Sequence, residues 1–351
     1  MKKLLLSVAV VALSAGSAFA ADLPSRKAPP LPPPPPPPPL WTGFHAGLNA
    51  GFGFGTNDPV YSQNYGVGTN DHEGASRVDA APIRSLVGMG MGYGPRFDGL
   101  LGAQTAALAT SGMSSMTQSG FVGGGQIGYD YQYGNFVFGV EADIQGSGIR
   151  GTSHTVGAAS SNGSFFRGYG SENWNAIGTS TVNAGVDWFG TVRGRIGYLW
   201  TPTMLVYGTG GLTYGGVYAN VNSAAFAGVS QSFGCNGNLC PVVEAVRSPG
   251  FPGANFTFIG GGNKSQTLVG WNAGGGIEWM FMPNWSLKAE ALYWNLGSMN
   301  VPTATFATAP IGNGNGLATI GLTRVNYQGV IARAGINYHF NWFTPPVVAK
   351  Y

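Results

Sequence analysis

The most constraining feature of this chain is an alternation of apolar residues with small or polar ones. From Phe44 to Phe54 every second residue is apolar, and His45, Asn49 and three glycines lie between them. A period of two residues is typical of a β-strand whose faces meet different surroundings. The pattern occurs eight times, at 44–55, 121–133, 136–145, 187–198, 204–216, 269–281, 285–293 and 329–340. An even set of such strands predicts an all-β fold, an eight-stranded antiparallel β-barrel that crosses a lipid bilayer.

The composition favours a membrane barrel. Charged residues make up 9% of the chain, against about 25% in typical soluble proteins. The 59 glycines and the 13% of aromatic residues suit a curved wall with aromatic girdles at both membrane interfaces. No apolar run after Ala20 is as long as a transmembrane helix, which excludes a helical membrane protein. The net charge of +3 is dispersed along the chain, so nothing indicates nucleic-acid binding.

The lengths of the predicted connections alternate. Short turns are expected at 134–135, 199–203 and 282–284, and long connections at 56–119, 146–181, 217–266 and 297–326. Outer-membrane barrels have short periplasmic turns and long extracellular loops, so this asymmetry predicts that both termini are periplasmic. A soluble β-sandwich could alternate in the same way, but it would not need Trp and Tyr at the ends of so many strands.

The N-terminal residues predict secretion. Lys2 and Lys3, the apolar run 4–13 and the small residues before Ala21 are typical of a signal peptide, residues 1–20. No cysteine follows the cleavage point, which excludes lipid attachment to a new N-terminal cysteine.

Two segments flank the predicted barrel, residues 41–340. Residues 21–40 contain an unbroken proline run, 32–39, which forms a stiff polyproline II rod. We interpret this segment as a periplasmic spacer, and a tether to peptidoglycan is the alternative. Residues 341–351 form a periplasmic C-terminal extension.

The polar strand faces carry balanced charges. An eight-stranded barrel is just wide enough to be filled by its side chains, and leaving one buried charge unpaired costs several kcal/mol. We therefore expect a plug of ion pairs inside the barrel, with a narrow ion path gated by exchange of these pairs as the alternative. The expected network comprises four acids and four bases: Glu141, Asp143, Glu278, Glu290, Arg193, Arg195, Lys288 and Arg333.

Two histidines fall on inner faces near the predicted periplasmic rim. His45 lies early on the first strand and His339 late on the eighth, so closure of the barrel should bring them together. They could be a ligand pair for a metal or haem, or hydrogen-bonded interior histidines. Without a third candidate ligand, we predict neither a metal site nor a cofactor.

The remaining motifs predict no catalysis. Cys235 and Cys240 share a predicted outside loop, and in an oxidising compartment this spacing favours a disulfide. Glycine patterns are frequent by chance in this chain, and none opens a helix as phosphate binding requires. No serine lies in a nucleophile elbow, so we predict that the protein is not an enzyme.

Taken together, the strand motifs resemble the alphaproteobacterial small outer-membrane proteins. These are the outer-membrane immunogenic or porin-family proteins of the OmpA-like and opacity-like eight-stranded superfamily, and the resemblance covers all eight strands. The motifs are Trp41-Thr42-Gly43-Phe44, Gly124-Gly125-Gln126-Ile127-Gly128-Tyr129, Phe138-Gly139-Val140-Glu141-Ala142-Asp143, Trp188-Phe189-Gly190-Thr191-Val192-Arg193-Gly194-Arg195, Asn284-Trp285-Ser286-Leu287-Lys288-Ala289-Glu290 and Ala334-Gly335-Ile336-Asn337-Tyr338-His339-Phe340.

The resemblance implies an abundant surface barrel and antigen that supports envelope integrity, and in some relatives binds haemin or host surfaces. It also implies contact with outer-membrane lipid and lipopolysaccharide, and insertion by the barrel-assembly machinery. That machinery reads an aromatic residue at the end of the last strand, which is Phe340 here. We expect a structural, surface-exposed outer-membrane barrel filled by paired charges. A narrow porin or haemin-uptake barrel is the alternative.

Overall fold

The barrel predicted from the alternation is confirmed. A computed structural model describes residues 40–67, 99–165, 170–233, 255–308 and 317–340. Each strand pairs antiparallel with the next one in the chain, and the first closes the barrel against the last. The strands are β1 Gly43–Val67, β2 Gly112–Tyr133, β3 Phe136–Phe165, β4 Gly170–Thr201, β5 Met204–Phe233, β6 Asn255–Met282, β7 Trp285–Ala307 and β8 Ala318–Phe340.

Three tight turns lie at one end of the barrel. They occupy residues 134–135, 202–203 and 283–284, within or beside the predicted short connections. A backbone hydrogen bond 2.8 Å long braces each of them, from Leu199 to Asn135, from Met280 to Thr203 and from His339 to Asn284. We call this end the turn end and the opposite end the loop end.

The predicted long connections are largely strand, which corrects the expected loop boundaries. Residues 146–181, for example, belong almost entirely to β3 and β4, whose pairing continues from Ile149 and Val186 up to Phe165 and Gly170. The strands contain 22 residues in β2 and up to 32 in β4. A bilayer-crossing strand needs only about 9–11 residues, so the strands are longer than a bilayer requires. We call the part of the wall formed by the eight alternating segments predicted above the turn-end half. The rest of the wall is the loop-end half.

A β-bulge in β4 marks the boundary between the halves. The pairing with β5 shifts register between Val186 and Trp188, so both Asp187 and Trp188 are exposed. Alternation alone places Asp187 on the inner face, which is wrong. Its side chain is 55% exposed and lies 3.5 Å from the guanidinium of Arg150. A bulge inserts one residue into a strand and thereby exchanges the faces beyond it.

One helix, α1, spans Gly99–Thr110 and was not predicted. It lies within the loop end of the barrel, where it contacts β1, β3, β4, β5 and β8. Its alanines Ala103, Ala106 and Ala109 are completely buried. Among the described residues, no helix is long and apolar enough to cross a bilayer.

Several predictions fall outside the described residues. These are the signal peptide 1–20, the proline run, the Cys235–Cys240 disulfide and the extension 341–351. They stay predictions from the sequence.

Candidate functional site

The turn-end half presents apolar side chains outward and polar side chains inward, as the alternation predicts. On the outside, Phe44, Val140 and Ile196 are 50%, 61% and 63% exposed. Their neighbours His45 and Arg195 are buried. The candidate site is therefore the interior of the barrel, which is filled in successive levels from the turn end to the loop end.

Trp41 covers the turn end, and we call it the Trp41 cap. Its indole N–H donates to the carbonyl of Pro202 at 3.0 Å, and its backbone N–H donates to the side chain of Gln132 at 3.2 Å. The buried ring packs edge-on against His339, with ring centroids 5.6 Å apart. The ring belongs to an apolar cluster that also contains Val137, Leu199, Leu205, Tyr207 and Met280.

Behind the cap lies the histidine level, which comprises His45, His339, Asp130, Arg195 and Glu278. His45 and His339 are direct partners in the pairing of β1 with β8, and their ring centroids are 5.5 Å apart. Arg195 donates to Asp130 at 2.7 Å and to Glu278 at 2.8 Å. The closeness of the two histidines agrees with the prediction from barrel closure.

Glycine makes room for the histidine level. Gly128 is paired with His45 across β1 and β2. A Cβ atom at Gly128 would lie 2.5 Å from the imidazole of His45, closer than side-chain atoms approach one another. The absence of a side chain at Gly128 therefore leaves room for the imidazole of His45.

The next level contains three cations and three carboxylates, and we call it the central ion-pair level. Lys288 donates to both carboxylate oxygens of Glu141, at 2.6 and 2.8 Å. Arg193 joins Glu141, Asp143 and Glu290, the last two at 3.1 and 3.2 Å. Arg333 completes the level by donating to Asp143 at 2.8 Å and to Glu290. Every member is nearly completely buried.

Neutral side chains bind the remaining lone pairs of this level. Thr191 donates to Asp143 at 2.9 Å, and the hydroxyl of Tyr207 donates to Glu290 at 3.1 Å. Since buried carboxylates are stable only when their oxygens are hydrogen-bonded, these contacts explain how six charged side chains coexist inside a narrow barrel.

The interior becomes apolar in the loop-end half. Beyond the ion pairs lies a large cluster of buried side chains, which we call the apolar level. It includes Ile149, Phe189, Trp294, Tyr327 and Ile331. Phe189 and Trp294 stack with ring centroids 6.4 Å apart. Further up, α1 packs on a second cluster that includes Trp174 and Phe258, both completely buried.

All eight residues of the expected charge network meet inside the barrel. Asp130 is a further member that sequence reasoning missed, although the alternation of β2 places it on the inner face. The apolar level and α1 were also missed. Large apolar side chains on the inner face beyond the bulge could have indicated the apolar level. The Ala-rich sequence of α1 could have indicated the helix.

Phe340 ends β8, where it pairs with Phe44 of β1. Its ring lies 5.0 Å from that of Tyr338, edge to face, on the outside of the wall.

Comparisons with known proteins find similarity to outer-membrane proteins. No family model matches it. It is 29% identical to the 31 kDa outer-membrane immunogenic protein of Brucella melitensis biotype 1 over 341 residues, 97% of this chain and 100% of the relative, and equally similar to the protein of the same name from Brucella suis biovar 1. Among solved structures, the outer membrane protein OprG from Pseudomonas aeruginosa is 11% identical with a TM-score of 0.31, covering 85% of this chain and 96% of OprG.

Proposed function

We propose that this chain, an outer-membrane β-barrel protein related along its length to the Brucella 31 kDa outer-membrane immunogenic protein, is a filled, non-enzymatic scaffold. Its function is to support the envelope and to present a surface for interaction. It does not conduct solutes. The loop end faces the outside and both termini face the periplasm, because outer-membrane barrels place their short turns on the periplasmic side.

The observation that carries this proposal is the continuous filling of the interior. The Trp41 cap, the histidine level, the central ion-pair level, the apolar level and α1 follow one another along the barrel axis. An eight-stranded barrel has no room for a water-filled channel beside its own side chains. A gate that worked by exchange of ion pairs would open only one of these levels and would leave the apolar level and α1 in the path.

Conductance in planar lipid bilayers tests the proposal. We expect the wild-type protein to show no stable openings. The double variant Arg193→Ala, Glu141→Ala, which removes one pair without changing the net charge, should stay closed as well because the apolar level and α1 remain. Stable openings of nanosiemens size in the wild type would establish the narrow porin instead.

The proposed partners follow from the surfaces of such a scaffold. Outer-membrane lipid and lipopolysaccharide would contact the apolar outer wall, and the barrel-assembly machinery would recognise Phe340 at the end of β8. Peptidoglycan is the candidate partner of residues 21–40. Sedimentation with purified peptidoglycan, compared between the full mature chain and a variant lacking residues 21–40, tests that contact. Equal sedimentation of both proteins would remove the tether and leave a spacer.

A further inference from the structure

The charges of the interior are unevenly distributed between its two polar levels. In the central ion-pair level, Arg193, Arg333 and Lys288 balance Glu141, Asp143 and Glu290. In the histidine level, Arg195 is shared between Asp130 and Glu278. With neutral imidazoles, the histidine level therefore carries one carboxylate more than it has cations.

The excess carboxylate lies where the two histidines meet. Nδ1 of His45 is 3.1 Å from a carboxylate oxygen of Asp130, and Nε2 of His339 is 3.4 Å from one of Glu278. His45 has two close carboxylates, Asp130 at Nδ1 and Glu141 3.5 Å from Nε2, but neither is a partner with hydrogen-bond geometry, although the side chain is completely buried. A buried polar group without such a partner points to an additional bound species.

We propose that His45, Asp130 and His339 form a binding site for a divalent transition-metal ion of the Zn²⁺ class. One ligand atom from each residue lies within 4.8 Å of the other two. Bonds of about 2.0–2.2 Å from zinc to nitrogen or oxygen place ligand atoms roughly 3.3 Å apart in a tetrahedral site. The separation of His45 and Asp130 already has this size, and the set closes if the ring of His339 moves toward them.

The chemistry of the three residues suits such an ion. The two imidazoles favour zinc, copper, nickel or iron, whereas calcium and magnesium prefer sites made of oxygen ligands only. The ligands come from β1, β2 and β8, adjacent strands that the closure of the barrel fixes in register. Arg195, Glu278 and Ser286 surround the set: Arg195 holds Asp130, and Ser286 lies 3.0 Å from His339. Outer partners of this kind orient metal ligands.

The location suggests what the ion would do. It would join the first and last strands of the barrel at the turn end, directly beneath the Trp41 cap. Because metal binding to a site formed only by folding stabilises the fold, the ion would act as a clasp across the seam where the barrel closes.

Metal analysis of the full mature protein tests the site. The protein is refolded into detergent with Zn²⁺, freed of loosely bound ion by dialysis, and its zinc content is measured by mass spectrometry. We expect one zinc per chain in the wild type and loss of most of this zinc in His339→Gln. His154→Gln is the matched control, since His154 is an exposed histidine on β3, and should retain the zinc.

Refolding with Co²⁺ gives an independent readout. A tetrahedral site of nitrogen and oxygen ligands produces a visible absorption band, which should appear in the wild type and in His154→Gln and be absent from His339→Gln. If His339→Gln does not fold, His45→Gln and the wild-type spectrum decide the matter. A folded wild-type barrel that retains no zinc and shows no band overturns the proposal, as does equal retention by His339→Gln. In either case the extra positive charge is a proton on an imidazole.

Discussion

The turn-end half and the loop-end half of the barrel wall differ in which of their faces, inner or outer, is polar. In the turn-end half of β4, Val192 and Ile196 face outward while Arg193 and Arg195 face inward. In the loop-end half of the same strand, the outward residues Asn175, Ile177 and Thr179 are mostly polar, while Trp174 and Val182 are buried inside. One half is polar inside and apolar outside, as a bilayer requires, and the other has the arrangement of a soluble protein.

The difference is what we expect if lipid covers the turn-end half and water covers the loop-end half. Where lipid covers the outside, outward positions must be apolar and the alternation leaves polar residues for the inside, so the core is held by ion pairs. Where water covers the outside, the same alternation supplies an apolar core. The bulge at Asp187 lies at the boundary between the halves on β4 and exchanges its faces.

The largest expected effect comes from breaking the ion pairs of the turn-end half. Arg193→Ala removes the cation that contacts Glu141, Asp143 and Glu290 together, which should lower the free energy of unfolding by about 3–5 kcal/mol. Urea unfolding in detergent, followed by the heat-dependent shift in gel mobility, measures this change. Arg150→Ala is the control, because the exposed pair of Arg150 with Asp187 should contribute at most about 1 kcal/mol. Equal effects of the two substitutions would mean that the buried network does not stabilise the barrel.

A second prediction tests the reversal of polarity on the outer surface. Val192→Arg places a charge on the lipid face and should cost about 2–4 kcal/mol near the bilayer centre. Thr179→Arg, an exposed outward position in the loop-end half of the same strand, should change stability by less than about 0.5 kcal/mol. Unfolding from lipid vesicles measures both. If the two variants are equally destabilised, lipid covers both halves and the proposed boundary is misplaced.

A third prediction concerns the helix in the loop-end half. A Cβ atom at Gly102 would lie 2.6 Å from the ring of Trp174, so Gly102→Leu should displace α1 at a cost of about 1–3 kcal/mol. The effect should be confined to the loop-end half, where hydrogen exchange of β4 and β5 rises while that of the ion-pair section stays unchanged. Leu108→Ala, at a position of α1 that is 58% exposed, is the control. Faster exchange in both halves would show that they unfold as one unit.

Much of the turn-end half could be predicted because its rule is local. The alternation assigns each residue to a face without knowledge of its partners, and it places His45, Glu141 and Arg193 on the inner face, where the structure has them. The loop-end half could not be predicted in this way. Its outward Asn, Ser and Thr residues are typical of loops. The bulge at Asp187 also shifts the alternation by one residue, so the faces assigned beyond it are reversed.

The sequence by itself determined the eight-stranded barrel, its apolar outer face and most of the charged residues on its inner face, because a period of two residues is a property of each strand alone. Only the tertiary structure decided the length of the wall, the reversal of its polarity and the meeting of Asp130 with the two histidines. These features depend on register between strands and on residues that fill a shared interior, which no single segment specifies.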